Sequence, residues 1–225
     1  MARSRIAIVI PALNEAQSVA AVVANATAFG TAIVVDDGSN DGTAAVAAAA
    51  GADVVRHERN RGYDAALNSG FARAAELDCD VAITMDADGQ HNPSLLEQFI
   101  AAIGRGSDVV IGVRDRRQRL AEHVFALVAR RLWGIHDPLC GMKAYRLKVY
   151  RELGHFDSYG SIGTELAIFA ATHGYKIAEI PVKTRERVGS PRFGRLLRGN
   201  WLIARALLRA LGSARVSRAV DASKS

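Results

Sequence analysis

Short apolar runs rich in β-branched residues alternate with stretches of helical pattern between residues 6 and 113, and this alternation restricts the fold more than any other feature. Ile6-Ala7-Ile8-Val9-Ile10, closed by Pro11, has no polar residue between its apolar ones, as in a strand buried on both faces. Helical pattern follows from Glu15 to about Ala28, then a strand over Thr31 to Val35 and an Ala-rich helix from near Thr43 to Ala50. Asp53 to Arg56 reads as a strand, Tyr63 to about Leu77 as a helix, and Val81 to Met85 as a strand. Pro93 opens a helix ending near Gly104, and Asp108 to Val113 forms the next strand. The expected fold is therefore α/β, a mostly parallel central sheet with helices on both faces. Ligands of such sheets bind beyond the carboxyl ends of the strands.

Three polar clusters sit at those ends: Asn14-Glu15, Asp36-Asp37 and Asp86-Ala87-Asp88. The last has two carboxylates spaced i, i+2 directly after an apolar strand. Such a pair can hold a hard divalent cation against a diphosphate. Asp and Gly also build ordinary surface turns, and it is the shared position of the three clusters that favours the metal. The first junction, Pro11-Ala12-Leu13-Asn14-Glu15, lacks the Gly-x-Gly-x-x-Gly of a dinucleotide fold, which disfavours a hydride-transferring dehydrogenase.

A chain of 225 residues suffices for one substantial domain plus a tail. Cys79 and Cys140 have no metal-ligand spacing and follow no signal peptide, so reduced thiols and a cytoplasmic location are expected. The net charge of +6 conceals a division. Residues 1–113 carry 7 Lys+Arg against 14 Asp+Glu, and residues 114–225 carry 22 against 9. An acidic, metal-holding half joined to a basic, anion-holding half suits a phosphorylated substrate, an anionic membrane, or both. Nucleic acid is not the expected partner, because aromatics are few and no recognised nucleic-acid motif accompanies the basic residues. No apolar stretch reaches the roughly 20 residues of a membrane-spanning helix.

As an ordered set, Pro11-Ala12-Leu13-Asn14-Glu15, Val34-Val35-Asp36-Asp37-Gly38-Ser39 with Asp41-Gly42-Thr43, and Met85-Asp86-Ala87-Asp88-Gly89-Gln90-His91 resemble the family 2 glycosyltransferases. Within that family the chain is most similar to the branch of dolichyl-phosphate mannose synthases and polyprenyl-phosphate glycosyltransferases, over about residues 5–194. The resemblance implies a single GT-A type nucleotide-sugar-binding domain over residues 1–192 and an inverting transfer of a hexose from a GDP-mannose or UDP-glucose type donor to a polyprenyl or dolichyl phosphate. It implies that Pro11, Leu13 and Glu15 line the base and ribose pocket and that Asp36 or Asp37 accepts hydrogen bonds from the base. It also implies that Asp86, Asp88 and the amide oxygen of Gln90 hold Mg or Mn, with Ala87 between them at the nucleotide sugar. Arg114 matches a family arginine that faces the phosphates. Asp137-Pro138-Leu139-Cys140-Gly141-Met142-Lys143-Ala144-Tyr145 resembles a family segment that forms a strand and turn under the acceptor site, and Glu165 corresponds to a helix-borne glutamate. Arg187-Val188-Gly189-Ser190-Pro191-Arg192 matches a basic Gly-Ser loop. That family loop often has one more residue after its first arginine, so Arg192 aligns better than Arg187.

On this reading the cation, Arg114, Arg187 and Arg192 stabilise the leaving diphosphate. A lipid phosphate is already anionic and needs no strong base, whereas a hydroxyl acceptor does, and Glu165 is then the candidate. Alternatives remain for several of these residues. Glu165 can simply interact with backbone N–H groups at a helix start, and Asp36 or Asp37 can cap the helix near Thr43. Arg116, Arg117 and Arg119 form either a solvated face or a contact for lipid phosphate or membrane. His91 adjoins the metal motif; His57, His123, His136, His155 and His173 have no ligand spacing and read as structural or exposed.

From Phe193 to Leu211, within an amphipathic segment at residues 193–212, the pattern is helical. Arg195, Arg198, Arg205 and Arg209 fall within an arc of about 80°, with Leu196, Leu197, Trp201, Ile203, Leu207, Leu208 and Leu211 opposite. Such a helix can lie in a membrane interface or dock on protein. Residues 213–225 read as a disordered tail. The competing functions are transfer to a hydroxyl acceptor, a sugar-phosphate nucleotidyltransferase, whose Gly-rich basic N-terminal loop is missing, and a non-catalytic nucleotide-binding or adaptor protein.

Overall fold

The computed structural model describes residues 5–88, 94–117, 119–183 and 196–222. Among these, β1 (Ile6–Ala12), β2 (Thr31–Asp36), β3 (Asp53–Arg56), β4 (Val81–Thr84), β5 (Val109–Arg114), β6 (Lys143–Arg146) and β7 (Ile177–Val182) form one sheet, in the order β3-β2-β1-β4-β6-β5-β7. The helices are α1 (Val19–Thr27), α2 (Thr43–Ala49), α3 (Tyr63–Glu76), α4 (Ser94–Gly104), α5 (Leu120–Trp133), α6 (Leu147–Leu153), α7 (Glu165–Thr172) and α8 (Leu196–Ala222). β1 pairs in parallel with β2 and β4, β2 with β3, and β5 with β7. β6 is the exception, running antiparallel to both β4 and β5.

The sheet has a core on each face, which is why its central strands are apolar at consecutive positions. Ala7 and Val9 of β1 pack with Ile33, Val35, Leu67, Phe71 and Phe125 on one side, and Ile8 and Ile10 with Val34, Ile83, Val23 and Phe99 on the other. Most expected elements appear with small shifts. α1 starts later than Glu15 because the Glu15 carbonyl first accepts the amides of Ser18 and Val19 in a turn, at 3.1 and 2.9 Å.

On α8 only part of the apolar side docks on the domain, Ile203 with the partly buried Leu207 and Leu211. The helix docks through Gly199, Ile203, Ala206 and Ala210, whose i, i+4, i+7, i+11 spacing makes one narrow buried seam. Small residues let it come close: a Cβ on Gly199 would lie 2.8 Å from the Arg119 Nε, and the Asn200 Oδ1 accepts the Ala121 amide at 3.3 Å. Trp201 and Leu208 are left outside this seam. The helix continues to Ala222, into the segment expected as a tail.

If α8 is part of the domain, Ile203→Ala should lower unfolding stability by about 2 kcal/mol or more, whereas Leu208→Ala, at an exposed position, should change it by less than about 0.5 kcal/mol. Urea titrations of the two variants measure the difference.

Candidate active site

The turns after β1 and β2 are stitched together by side chains from both. Asn14 has a positive φ of 55°, tolerable for asparagine, and this turns its amide toward the Ser39 Oγ at 2.8 Å. The Asn40 amide donates to the Asn14 Oδ1 at 3.1 Å, the Glu15 amide to the Thr43 Oγ1 at 2.9 Å, and the Ala16 amide to Asp41 at 3.1 Å. Leu13 stays 40% exposed on this platform.

The two adjacent aspartates have different environments. Asp37 is buried and clamps the stretch after β3: its Oδ1 accepts from the His57 Nδ1 at 2.7 Å and the Arg61 amide at 2.9 Å, and its Oδ2 from the Gly62 amide at 2.8 Å. His57 reaches on to the Ser69 Oγ of α3 at 2.9 Å, a buried structural role. Asp36 accepts the Ser39 amide at 3.1 Å through Oδ1, while its buried Oδ2 has only an ion pair with the Arg56 Nε at 3.4 Å. Neither aspartate caps α2. The cap position is Gly42, and Asp41 just before it accepts the amide and hydroxyl of Thr43 at 3.1 and 2.5 Å. Burial opposes the Asp41 charge, but the Thr43 hydroxyl and the amides of Ala16 and Thr43 together outweigh it and lower the pKa.

Asp86 and Asp88 follow β4, with Asp88 buried and Asp86 half-buried. The Thr84 Oγ1 donates to the Gly141 carbonyl at 2.6 Å and accepts the Lys143 amide at 3.0 Å, which seats the 137–143 segment directly beside the aspartates. At Gly141 a Cβ would lie 2.6 Å from the Asp86 Oδ2, so only glycine permits this approach. Two carboxylates on one turn are a hard donor set suited to Mg or Mn, though two protein ligands alone make an incomplete shell. No group of three or more His, Cys, Asp or Glu side chains able to hold a metal occurs among the described residues, so the remaining ligands would be an amide such as that of Gln90 and oxygens of the substrate. Gln90, Arg187 and Arg192 lie outside the described residues.

Arg114 is in place at the end of β5, but not as a bare charge. Its Nε and NH2 grip the buried Asp137 at 2.8 and 2.9 Å, and NH2 lies 3.3 Å from Glu122 of α5. Burial opposes its charge, but the Asp137 hydrogen bonds overcome this and raise its pKa. Glu122 also meets Arg119 at 3.4 Å, so the two arginines and two carboxylates sum to zero. A substrate phosphate would share Arg114 with these carboxylates. Burial, and then Asp137, push the Cys140 thiol up to about 11, so it behaves as a neutral buried side chain.

Glu165 opens α7, and both its oxygens are occupied. Oε2 accepts the Ser158 amide at 2.5 Å, and Oε1 accepts the Ser158 hydroxyl at 2.8 Å and meets the His155 Nε2 at 3.0 Å. The amides that open α7 are taken instead by the Ser161 Oγ, from Thr164 at 3.0 Å and Glu165 at 2.9 Å. The carboxylate thus anchors the 155–158 stretch.

Several of these partners carry no motif and were not singled out as functional from sequence: Asp64, Thr84 and Glu122, with Asp137 and Lys143 seen only as members of a longer segment. Asp64 of α3 accepts the Gly163 amide at 2.7 Å and the Ile162 amide at 3.3 Å. Burial, reinforced by Asp157, raises its pKa to about 6. The fully buried Lys143 donates to the Gly163 carbonyl at 2.8 Å, and burial lowers its pKa to about 8.

Comparison with known proteins agrees with the site's motifs. The family model described as glycosyl transferase family 2 matches residues 7–154. A Haloferax volcanii protein named dolichyl-phosphate hexose transferase is 34% identical over 197 residues, covering 82% of this chain and 84% of the relative. The polyprenol monophosphomannose synthase of Mycolicibacterium smegmatis is 31% identical over 207 residues, covering 81% and 78%. Among solved structures, glucosyl-3-phosphoglycerate synthase from Mycobacterium tuberculosis, in complex with Mn2+ and UDP-glucose, has a TM-score of 0.73 at 24% identity, over 95% of this chain and 79% of that one. At that identity the likeness is one of fold.

The contact at Gly141 gives a specific test. Gly141→Ala should displace the Asp86 carboxylate and weaken manganese-dependent nucleotide binding about tenfold or more, with thermal stability reduced only modestly. Calorimetric titration with and without manganese checks it.

Proposed function

The chain belongs to glycosyl transferase family 2, and we propose that within it this enzyme moves a hexose from a GDP-mannose or UDP-glucose type donor to a polyprenyl or dolichyl phosphate, inverting the anomeric centre. The observation that carries this reading is a placement: the ends of β1, β2 and β4 and the 137–143 segment brought in by β6 converge on one side of the sheet. The relatives named for dolichyl and polyprenol phosphate transfer support the acceptor class.

In this reading Pro11, Leu13 and Glu15 form the floor for base and ribose, and Asp36 or Asp37 accepts a ring N–H. Asp86 and Asp88, with Gln90, would hold Mg or Mn, which when bound supplies positive charge against the donor diphosphate. Arg114 is fixed by Asp137 and presents what remains of its donor capacity to phosphate, while Arg187 and Arg192 would add the further positive charge that two neighbouring anions need. The acceptor phosphate attacks as an anion, so no residue has to remove a proton. That fits the occupied carboxylate of Glu165, which serves as an anchor for the 155–158 stretch. Such an acceptor brings the enzyme to a membrane surface in peripheral contact, and no described helix is long and apolar enough to cross one.

Incubation with labelled donors and a polyprenyl phosphate should give an organic-extractable sugar lipid. No product from GDP-mannose, UDP-glucose or a UDP-N-acetylhexosamine would overturn the proposal. In the same assay Glu165→Gln should keep more than about a tenth of the wild-type turnover, because loss of a true general base costs about a hundredfold or more. Abolished turnover with intact donor binding would instead assign a hydroxyl acceptor.

A further inference from the structure

Seven large apolar side chains are exposed among the described residues, and apart from Leu13 at the expected donor pocket they lie on two helices. On α5 these are Leu120 (77% exposed), Val124 (48%), Leu127 (69%) and Leu132 (46%); on α8 they are Trp201 (60%) and Leu208 (70%). We propose that the outer faces of α5 and α8 together form a docking surface for an anionic lipid bilayer. This rests on the lipid-phosphate reading above and assigns the surface that serves it.

The geometry supports one continuous patch. Leu120, Val124 and Leu127 have i, i+4, i+7 spacing and make one stripe on α5, which the exposed Arg131 extends by another turn. Trp201 and Leu208 are spaced i, i+7 on α8, with the Arg205 guanidinium 4.9 Å from the Trp201 ring centroid between them. The Ala121–Asn200 hydrogen bond joins the two helices one residue from Leu120 and one from Trp201, so both stripes begin at the same junction. Neither stripe is needed for folding, because the opposite faces, Phe125 and Ala129 on α5 and Ile203, Ala206 and Ala210 on α8, already fill the core.

Charge selects the occupant. The sole acidic residue of α5, Glu122, is buried against Arg114 and Arg119, and residues 199–212 contain none. Among the described side chains of the two helices, the exposed charges are Arg130, Arg131 and Arg209. A second copy docked on the same face in a symmetric pair would bring arginines against arginines, whereas anionic head groups meet them favourably and the leucines and Trp201 enter the acyl boundary. α5 also connects Arg114 to Asp137, the two ends of the clamp beside Asp86, so a bilayer held on α5 adjoins the site that takes the lipid's phosphate.

The test is co-sedimentation of the full chain with equimolar phosphatidylcholine and phosphatidylglycerol vesicles and with pure phosphatidylcholine vesicles. Wild type should bind the anionic vesicles more strongly, and the double variants Leu120→Ser/Leu127→Ser and Arg130→Glu/Arg131→Glu should each lose binding by about tenfold or more. Both variants should unfold at the wild-type temperature and keep wild-type transfer to a short, water-soluble polyprenyl phosphate, while transfer to acceptor embedded in vesicles falls. Unchanged vesicle binding by both variants, absence of wild-type binding, or a wild-type dimer that the variants dissociate would each overturn the proposal. Loss of wild-type transfer to the soluble acceptor with vesicle binding intact would count against the acceptor reading and leave the docking surface standing.

Discussion

The Thr84 hydroxyl ties the two halves of the site together, because it donates to the Gly141 carbonyl and accepts the Lys143 amide at the point where β6 meets β4. A purely parallel sheet would leave the ends of β4 and β5 adjacent, with nothing between them. The antiparallel β6 instead starts where β4 ends, so the turn leading into it lies against Asp86 and the Asp137 that precedes it fastens Arg114. Lys143 carries the linkage further, from β6 to the Gly163 carbonyl, while Asp64 holds the amides of Ile162 and Gly163 from α3. The loop before α7 is thus fastened from two sides by buried charged groups. Such groups are costly to bury, and geometry that satisfies them is correspondingly rigid.

The division of charge along the sequence acquires a structural meaning. The acidic half supplies the strand-end carboxylates, and much of its negative charge is balanced locally, as with Arg73 against Asp53 and Glu76. In the basic half, Arg114 and Arg119 are neutralised by Glu122 and Asp137, so they position more than they attract. Part of the positive charge left over lies on the exposed arginines of α5 and α8, Arg130, Arg131 and Arg209.

Periodicity made the first five strands and four helices legible, because a strand buried on both faces leaves an uninterrupted apolar run and a turn residue at its end. It could not show partners. Nothing in Lys143-Ala144-Tyr145-Arg146 tells that this short run enters between β4 and β5 in reverse, since pairing depends on contacts distant in sequence. α5 was missed for a related reason: its exposed side, with Leu120, Val124, Leu127 and Leu132, is as apolar as its buried side, with Phe125, Ala129 and Trp133, so apolar residues fall all round the helix. On α8 the apolar face divides: Ile203, Leu207 and Leu211 pack on the core beside the small residues Gly199, Ala206 and Ala210, whereas Trp201 and Leu208 stay exposed, a division that periodicity alone does not show. Of the site, the carboxylates were visible as motifs, whereas their partners Thr84, Asp64 and Glu122 are single polar residues whose roles depend on the fold.

The central claim is that the carboxyl-end face of the sheet binds a nucleoside diphosphate through Asp88 and a divalent cation. Thermal unfolding with GDP or UDP, each with and without manganese, in wild type and Asp88→Ala tests it most directly. The expected result is a manganese-dependent stabilisation by one of the two nucleotides in wild type, lost in a variant that still unfolds cooperatively without ligand. Equal manganese-dependent stabilisation of both proteins would contradict it.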